Sequence, residues 1–559
     1  MFRRDGTERT WVVPFRDRFG GSMGCAGAVV VFILKSANWP LISTMASKSE
    51  LRGLLTKTLG GMGRFIVASN REPFVHEHHE GRIICRQPAG GLTSALVPVL
   101  KSCGGVWVAE GSGSADRDVV DGHSCVSAPG GKPSYKLRRV WLPERLRREY
   151  YCGLSNRALW PLCHNAYQRP HFSAAEWESY RRANEIFAAA ILEEAAGEPA
   201  LVFVQDYHLA LVPRLLRKRN PDLVIAHFWH IPWPDPETFF TFPWSGELLD
   251  GMLGNNLIGF QLRRHAANFL RSVERAGESL VDSPIDGGAG RVFGEANDTT
   301  VQDFPIGIDF DSHEKMAAST ETLAAMEEWR ARVGPNLRLG IGIDRIDYTK
   351  GIPERLRGLE LFFERHPCWR GKLVFVQVGV PSRRDVPEYQ ALSDEIQAAI
   401  TALNQRWGRS DWQPVHFVNR NLPAEQMMAL HRLADFCLVT PLHDGMNLVA
   451  KEFAASRKDL DGVLVLSRFA GAAEELNSAV LVNPFSEEEI ADGIHTALAM
   501  PRGERMRRML RMRSAVRANH IGQWAANIFS AVAGTAETGA AAPALETLAQ
   551  PAAAAEIAY

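Results

Sequence analysis

The sequence predicts an α/β protein made of two doubly wound domains. Three observations carry this. From Arg64 onward, short runs rich in Val, Ile and Leu alternate with helical patterns; the runs fall into two series; and a polar helical stretch, residues 312–336, separates the series. Runs that are apolar throughout, rather than at alternate positions, belong to strands covered on both faces, as in parallel sheets flanked by helices.

In the first series the expected strands are residues 65–69, 106–110, 201–205, 224–229, 257–260 and 302–306. In the second they are 337–343, 373–378, 415–418, 436–439, 463–466 and 480–482. The stretch from Gly277 to Thr300 reads as a loosely ordered loop. The expected organisation is an extension over 1–62, a first domain over 63–320, a second over 321–533 and a disordered Ala/Pro-rich tail over 534–559. In the extension, Arg3, Arg4, Arg16 and Arg18 precede an apolar run at 24–34 that is too short to span a bilayer. No Ala-x-Ala cleavage site follows closely, so the reading is an over-extended start, with Met45 or Met62 as the true beginning.

Composition narrows the function. A net charge of −1 over 559 residues argues against nucleic acid or a strongly anionic surface as the main partner, and no segment implies stable membrane insertion. The eight cysteines are scattered and form no Cys-x-x-Cys pair, which fits reduced thiols in a cytoplasmic protein.

Ligands of doubly wound sheets bind at the carboxyl ends of the strands, and the motifs fall there. In the segment Leu438-Val-Thr-Pro-Leu-His-Asp-Gly-Met-Asn-Leu-Val-Ala-Lys-Glu452 an apolar strand passes through a turn into a helix. Asp444 offers a carboxylate to hydroxyls, and the N–H groups of Gly445, Met446, Asn447 and Leu448 lie where a new helix leaves donors unpaired. Glu452 can point back into the same crevice. That combination suits a nucleotide sugar, and equally an ordinary N-capped connection. After the first strand of the second series, Arg345 and Lys350 are placed to neutralise a diphosphate, or to pair with Asp344 and Asp347. Arg71 ends the first strand, and Gly90 and Gly91 open the next helix, allowing close approach to a phosphate or forming a simple turn. His227 and His230 fall on opposite strand faces with no acidic ligand at suitable spacing, so no metal site is expected; His230 can still bond a sugar hydroxyl. The run from Ile306 to Asp311 has the look of a phosphatase motif, but it lies between the domains rather than opening one.

Taken together, the blocks SNR, PAGGL, EYYCGLSNRALWP, QDYHL, HIPWP, DRIDYTKGIPER, PSRRDV, TPLHDGMNLVAKE and LSRFAGAAEEL resemble the trehalose-6-phosphate synthase family of retaining glycosyltransferases, family 20, in order and number from about Arg64 to Ser530. The resemblance implies a GT-B fold, two Rossmann-like domains facing a central cleft, and transfer of glucose from UDP-glucose to glucose-6-phosphate. It implies that Arg345, Lys350, His230 and Asp444 are catalytic, with Arg345 and Lys350 on the leaving diphosphate and Asp444 and His230 on the donor glucose. Gly90 and Gly91 would meet the donor phosphates, the Gly445, Met446, Asn447, Leu448 and Val449 backbone would line the donor site, and Glu452 would hold the ribose. Arg71 and Arg383 would bind the acceptor phosphate, with Tyr151, Trp160 and Asp206 shaping the rest. No cofactor is implied, since UDP-glucose is a substrate and the reaction is metal-independent. A separate phosphatase would process the product. Two departures stand out. Trp107 lacks the second tryptophan that often follows in the family, and His443 replaces the arginine before Asp-Gly-Met-Asn. The first borders the acceptor pocket, so glycerol-3-phosphate stays open as acceptor, as in glucosylglycerol-phosphate synthases. The donor base and a homo-oligomeric state are also left open.

Overall fold

Ten strands make the larger of the two main sheets in the computed structural model, which describes residues 48–59, 63–87, 91–129, 135–165, 167–277, 279–283, 288–295, 297–383 and 385–538. Across the sheet the order is Leu280–Asp282, Gly290–Phe293, Thr299–Asp303, Leu257–Phe260, Val224–Trp229, Ala200–Gln205, Arg64–Arg71, Val106–Glu110, Lys136–Val140 and Cys125–Ser127. From Thr299–Asp303 through Lys136–Val140 neighbouring strands run parallel; the outermost pairings at both edges are antiparallel. The second sheet has six strands, all parallel, in the order Val415–Val418, Leu373–Val380, Arg338–Arg345, Phe436–Val439, Val463–Ser467 and Val480–Val482. Ala200–Gln205, Val106–Glu110, Phe436–Val439 and Val463–Ser467 are buried along their whole length, as their uniformly apolar sequences require. The α/β class and the two doubly wound sheets are those expected.

The differences have local causes. The strand expected at 302–306 is Thr299–Asp303, because Pro305 cannot donate to a ladder; Phe304 and Ile306 are buried as the chain leaves the sheet. Gly277 to Thr300 is not a loose loop: its described parts form the antiparallel pair Leu280–Asp282 and Gly290–Phe293, with Val292 buried. A hairpin, Val75–His79 with Arg82–Arg86, follows the first strand; its sequence does not alternate apolar and polar residues. Asp309, in the phosphatase-like run, is a helix N-cap whose carboxylate accepts from Ser312 N at 3.0 Å.

Both ends of the described chain pack against each other beside the first sheet. The helix Lys48–Thr58, inside the expected extension, buries Leu51 and Leu55; the rest of that extension up to residue 47 lies outside the described residues. The last helix, Ile521–Thr538, follows the second sheet in sequence but lies against the first. Its Trp524 meets Phe203 at 6.0 Å and Phe228 at 5.1 Å between ring centroids, and Phe529 meets Phe65 at 5.5 Å. The chain therefore crosses back, a step that the division at 321–533 did not contain. The helix also runs past residue 534, and residues 539–559 of the expected tail lie outside the described residues. Trp524 is 2% exposed. Trp524→Ala should cost about 3–5 kcal/mol, the usual loss on emptying a buried tryptophan site, read as a lowered denaturant midpoint.

Candidate active site

The carboxyl ends of both sheets meet where Gly445 presses on the backbone of His230. A Cβ at Gly445 would collide with the His230 carbonyl oxygen and crowd the Ile231 Cα, so only glycine lets the two strand-end loops touch. Around this contact the expected residues gather from both sheets.

Arg345 is the last residue of Arg338–Arg345, and the turn Tyr348–Lys350 follows. Lys350 Nζ donates to Asp444 Oδ2 at 2.6 Å, and both side chains are largely buried. Asn447 Nδ2 reaches the same oxygen at 3.1 Å. Burial would raise the Asp444 carboxyl, but Lys350 and Asn447 outweigh it and hold it below the ordinary range. Asn447 also caps the helix Leu448–Ser456, its Oδ1 accepting from Ala450 N at 3.2 Å. One helix-end donor is thereby taken internally. Of the alternative pairings with Asp344 and Asp347, only a long Arg345–Asp347 contact forms among the described residues. Asp344 belongs to buried Arg355, Oδ2 to Nη1 at 2.5 Å, and Arg355 also bonds Gln377 and Thr440 beneath the strand end. Arg345 stays 37% exposed, with its guanidinium 3.9 Å from Asp347 and its Cζ 5.6 Å from the Trp160 ring centroid.

Arg383 lies under the same tryptophan. Its Cζ sits 4.2 Å from the Trp160 ring centroid, and Nη1 donates to Asp347 Oδ2 at 3.0 Å and to the Tyr389 hydroxyl. Its Nε and the neighbouring Ser382 Oγ are buried with no hydrogen-bond partner among the described residues. Two orphaned donors side by side are a ready seat for an oxyanion. Ser382 had no marker in the sequence beyond its place beside Arg383.

Tyr151 and Trp160 come from one unusual element. Residues Arg148–Leu159 wind as a π-helix, and Trp160 opens the α-helix that continues it. The wide turns let Asn156 Nδ2 bond the Tyr151 carbonyl at 2.6 Å while Tyr207 donates to Asn156 Oδ1 at 2.9 Å. Arg71 Nη2 donates to the Tyr151 hydroxyl at 2.9 Å, and the Tyr151 ring stacks on His208. Burial raises the Tyr151 hydroxyl, but Arg71 and Arg383 more than offset it and bring it below the ordinary tyrosine value. Arg71, Tyr151, Trp160 and Arg383 thus line one continuous cationic-aromatic wall.

Asp206 follows Gln205 with φ 69° and ψ 172°, a region costly for a non-glycine residue. Arg383 (φ 47°) and Asn447 (φ 92°) share positive φ. Three such residues in one cleft are strain of the kind that concentrates at functional sites. Burial pushes the Asp206 carboxyl up to about 7 against the N–H groups of Tyr207 and His230. His230 has both ring nitrogens engaged, Nε2 with Gln205 Oε1 at 3.0 Å and Nδ1 with Gln261 Nε2 at 3.4 Å. Burial lowers it to about 3, so the ring is neutral and is not a free base. His227 points away and bonds the Asp206 carbonyl at 3.0 Å, separate from His230.

Other expected residues fall differently. Glu452 lies 3.9 Å from His313 Nε2 on the flank of its helix. Gly91 begins the helix Gly91–Cys103, whereas Gly90 lies outside the described residues. His443, in place of arginine, donates Nδ1–H to the His164 carbonyl, 2.7 Å away, and so ties the two halves of the cleft together. Among the described residues no His/Cys/Asp/Glu group could hold a metal ion, and no helix is long and apolar enough to cross a membrane.

The chain matches the model of glycosyltransferase family 20 over residues 63–533. It is 38% identical to the trehalose-6-phosphate synthase of Mycolicibacterium smegmatis, across 86% of this chain and 95% of that protein. Among solved structures, it resembles an alpha,alpha-trehalose-phosphate synthase (UDP-forming) from Burkholderia xenovorans in complex with glucose-6-phosphate: TM-score 0.75, 29% identity, 84% of this chain and 100% of that one. It also resembles an E. coli structure bound with UDP-2-fluoro glucose, with TM-score 0.74, 31% identity, and 84% and 99% of the two chains covered.

The buried histidines carry a pH consequence. His227 is lowered to about 4 by burial, partly opposed by its bond to the Asp206 carbonyl. Its unfolded form titrates near 6.5, so below that pH the unfolded state binds the extra proton and the stability from neutral His227 is lost as pH falls toward the folded value. His227→Gln keeps a donor for that carbonyl. Compared with wild type, the variant should gain about 1.4 kcal/mol per pH unit between 6.5 and 5, measured by denaturant unfolding across that range.

Proposed function

Because the chain belongs to glycosyltransferase family 20, we infer that it transfers glucose from UDP-glucose to glucose-6-phosphate with retention, giving trehalose-6-phosphate and UDP. It is a hexosyltransferase of GT-B fold. Glycerol-3-phosphate as acceptor has no counterpart among the relatives described above, one of which holds glucose-6-phosphate.

The observation that carries the site assignment is the gathering of Arg345 and Arg383 beside one tryptophan, Trp160. Arg345 and Lys350, at the strand end, face the donor side; Arg383, with its unpartnered Nε and the Ser382 hydroxyl, faces the acceptor side. On this reading the diphosphate leaves against Arg345 and Lys350. Their fixed charges stabilise the developing negative charge without a metal ion. Lys350 is already oriented by Asp444, so a donor whose phosphate meets the ammonium and whose glucose hydroxyls meet the carboxylate engages both halves of an existing ion pair. The N–H groups at the start of Leu448–Ser456 complete the donor side, with Glu452 at its margin, and the helix start at Gly91 is assigned to the donor phosphates. The acceptor phosphate sits at Arg383 and Arg71, and its sugar lies along Tyr151, Trp160 and Asp206. The neutral, doubly bonded His230 contributes by position beside the sugar rather than by proton transfer. Among the described residues no carboxylate of the cleft has the surroundings of a glycosyl nucleophile: Asp444 Oδ2 is held by Lys350 and Asn447. Retention therefore fits front-face attack, in which the leaving phosphate takes the acceptor proton. Contacts between the two halves, such as Arg157–Glu388 at 3.2 Å and Arg264–Glu474, favour the closed cleft that keeps water from the donor. The product would leave for a separate phosphatase, and cytoplasmic residence follows from where sugar nucleotides and hexose phosphates are made.

A panel of phosphorylated acceptors with UDP-glucose, each product identified, tests the reaction. Trehalose-6-phosphate from glucose-6-phosphate is expected, and turnover of glycerol-3-phosphate alone would overturn it. Arg345→Ala should lower kcat by roughly 10²–10³-fold, the typical loss of one preorganised charge stabiliser. Arg383→Ala should raise KM for glucose-6-phosphate while UDP affinity holds; a collapse of UDP affinity in a titration would reassign this arginine to the donor side.

A further inference from the structure

Asp347 stands in the sequence as one more carboxylate near Arg345; in the fold it is the junction of the cleft. Its side chain is wholly buried. Oδ1 accepts from Thr349 N at 3.1 Å, from Thr349 Oγ1 at 3.0 Å and from Trp160 Nε1 at 3.3 Å. Oδ2 accepts from Arg383 Nη1 at 3.0 Å and lies 3.9 Å from Arg345 Nη2. Its carbonyl accepts from Lys350 N at 2.9 Å, so the same residue caps the turn that presents Lys350. One carboxylate therefore meets the arginine and the turn of the donor side, the arginine of the acceptor side, and the tryptophan contributed by the first sheet's half of the molecule.

We propose that Asp347 is a positioning residue for glucosyl transfer: it fixes Arg383 and Trp160 in register with Arg345 and Lys350, so that the two phosphoryl groups are held at one separation. The proposal rests on the assignment of Arg345 to the donor and Arg383 to the acceptor. The geometry gives Asp347 no task as a ligand, since both its oxygens are already occupied. Burial alone would raise its carboxyl, but Arg383, Arg345 and Lys350 outweigh this and hold it down at about 2, so it is charged throughout the working range.

The sign of the effect separates positioning from simple electrostatics. A carboxylate near an anion site repels the anion, so if Asp347 acted only through its charge, removing it would tighten acceptor binding. Asp347→Asn is the test. The amide oxygen can still cap Thr349 and accept from Trp160, but the amide NH₂ then faces Arg383, donor against donor. The expected result is a rise of roughly ten-fold or more in KM for glucose-6-phosphate with a fall in kcat, the scale of losing one charged hydrogen bond, while UDP affinity by calorimetry changes far less. An unchanged or lowered KM with unchanged kcat would overturn the proposal. Should the variant not fold, Trp160→Phe keeps an aromatic ring beside Arg383 but removes the second ring of the indole and with it the N–H given to Asp347. It should raise the same KM several-fold with UDP affinity intact, and an unaltered KM would count against the proposal. Failure of the wild-type protein to use glucose-6-phosphate would instead condemn the underlying functional reading.

Discussion

The structure depends on a steric constraint, the approach of the Gly445 backbone to the His230 carbonyl. Strand ends of two separate sheets can form one site only if their loops come within van der Waals distance, and a Cβ at position 445 would hold them apart. Glycine at 445 removes that obstacle, and the flanking residues exploit it. Asp444 turns to Lys350, Asn447 caps the next helix, and His443 bonds the backbone of His164 from the opposite half. Gly471 serves the same end behind the loop, where a Cβ would strike the Gly445 carbonyl. The cleft is thus built by main chain first and charged side chains second.

The charged groups are ordered by burial rather than by count. Arg355 and Asp344, both fully enclosed, form a structural pair beneath the strand end with Gln377 and Thr440. A similar core lies under the first strand, where buried Arg139 meets Glu72 at 2.8 Å and Asp116 at 2.6 Å. Breaking such pairs would strand a charge in low dielectric, which makes them rigid supports. Arg345 and Arg71, by contrast, are left partly open.

Much of this was legible in the sequence, and the limits are physical. Uniformly apolar runs such as Val463–Ser467 and Phe436–Val439 announce themselves because both faces of the strand are buried. Motifs at strand ends are legible because helix starts and turns leave a local signature. The hairpin Val75–His79 with Arg82–Arg86 was invisible, since its half-buried to exposed residues show no alternation of apolar and polar positions. The π-helical winding of Arg148–Leu159 leaves no mark in a helical periodicity, although it aims Tyr151 and leads into Trp160. The weight of Asp347 was hidden, because its partners Trp160 and Arg383 are distant in the chain and joined to it only by folding.

The last helix has a bearing on how the molecule comes into being. Ile521–Thr538 supplies Trp524 and Phe529 to the core of the sheet whose strands are made first. During synthesis that earlier half leaves the ribosome lacking part of its apolar cover, and it must wait for the final turns of the polypeptide before its interior is sealed. Completion of the first-made lobe is therefore tied to arrival of the whole chain, so the two lobes mature together rather than one after the other.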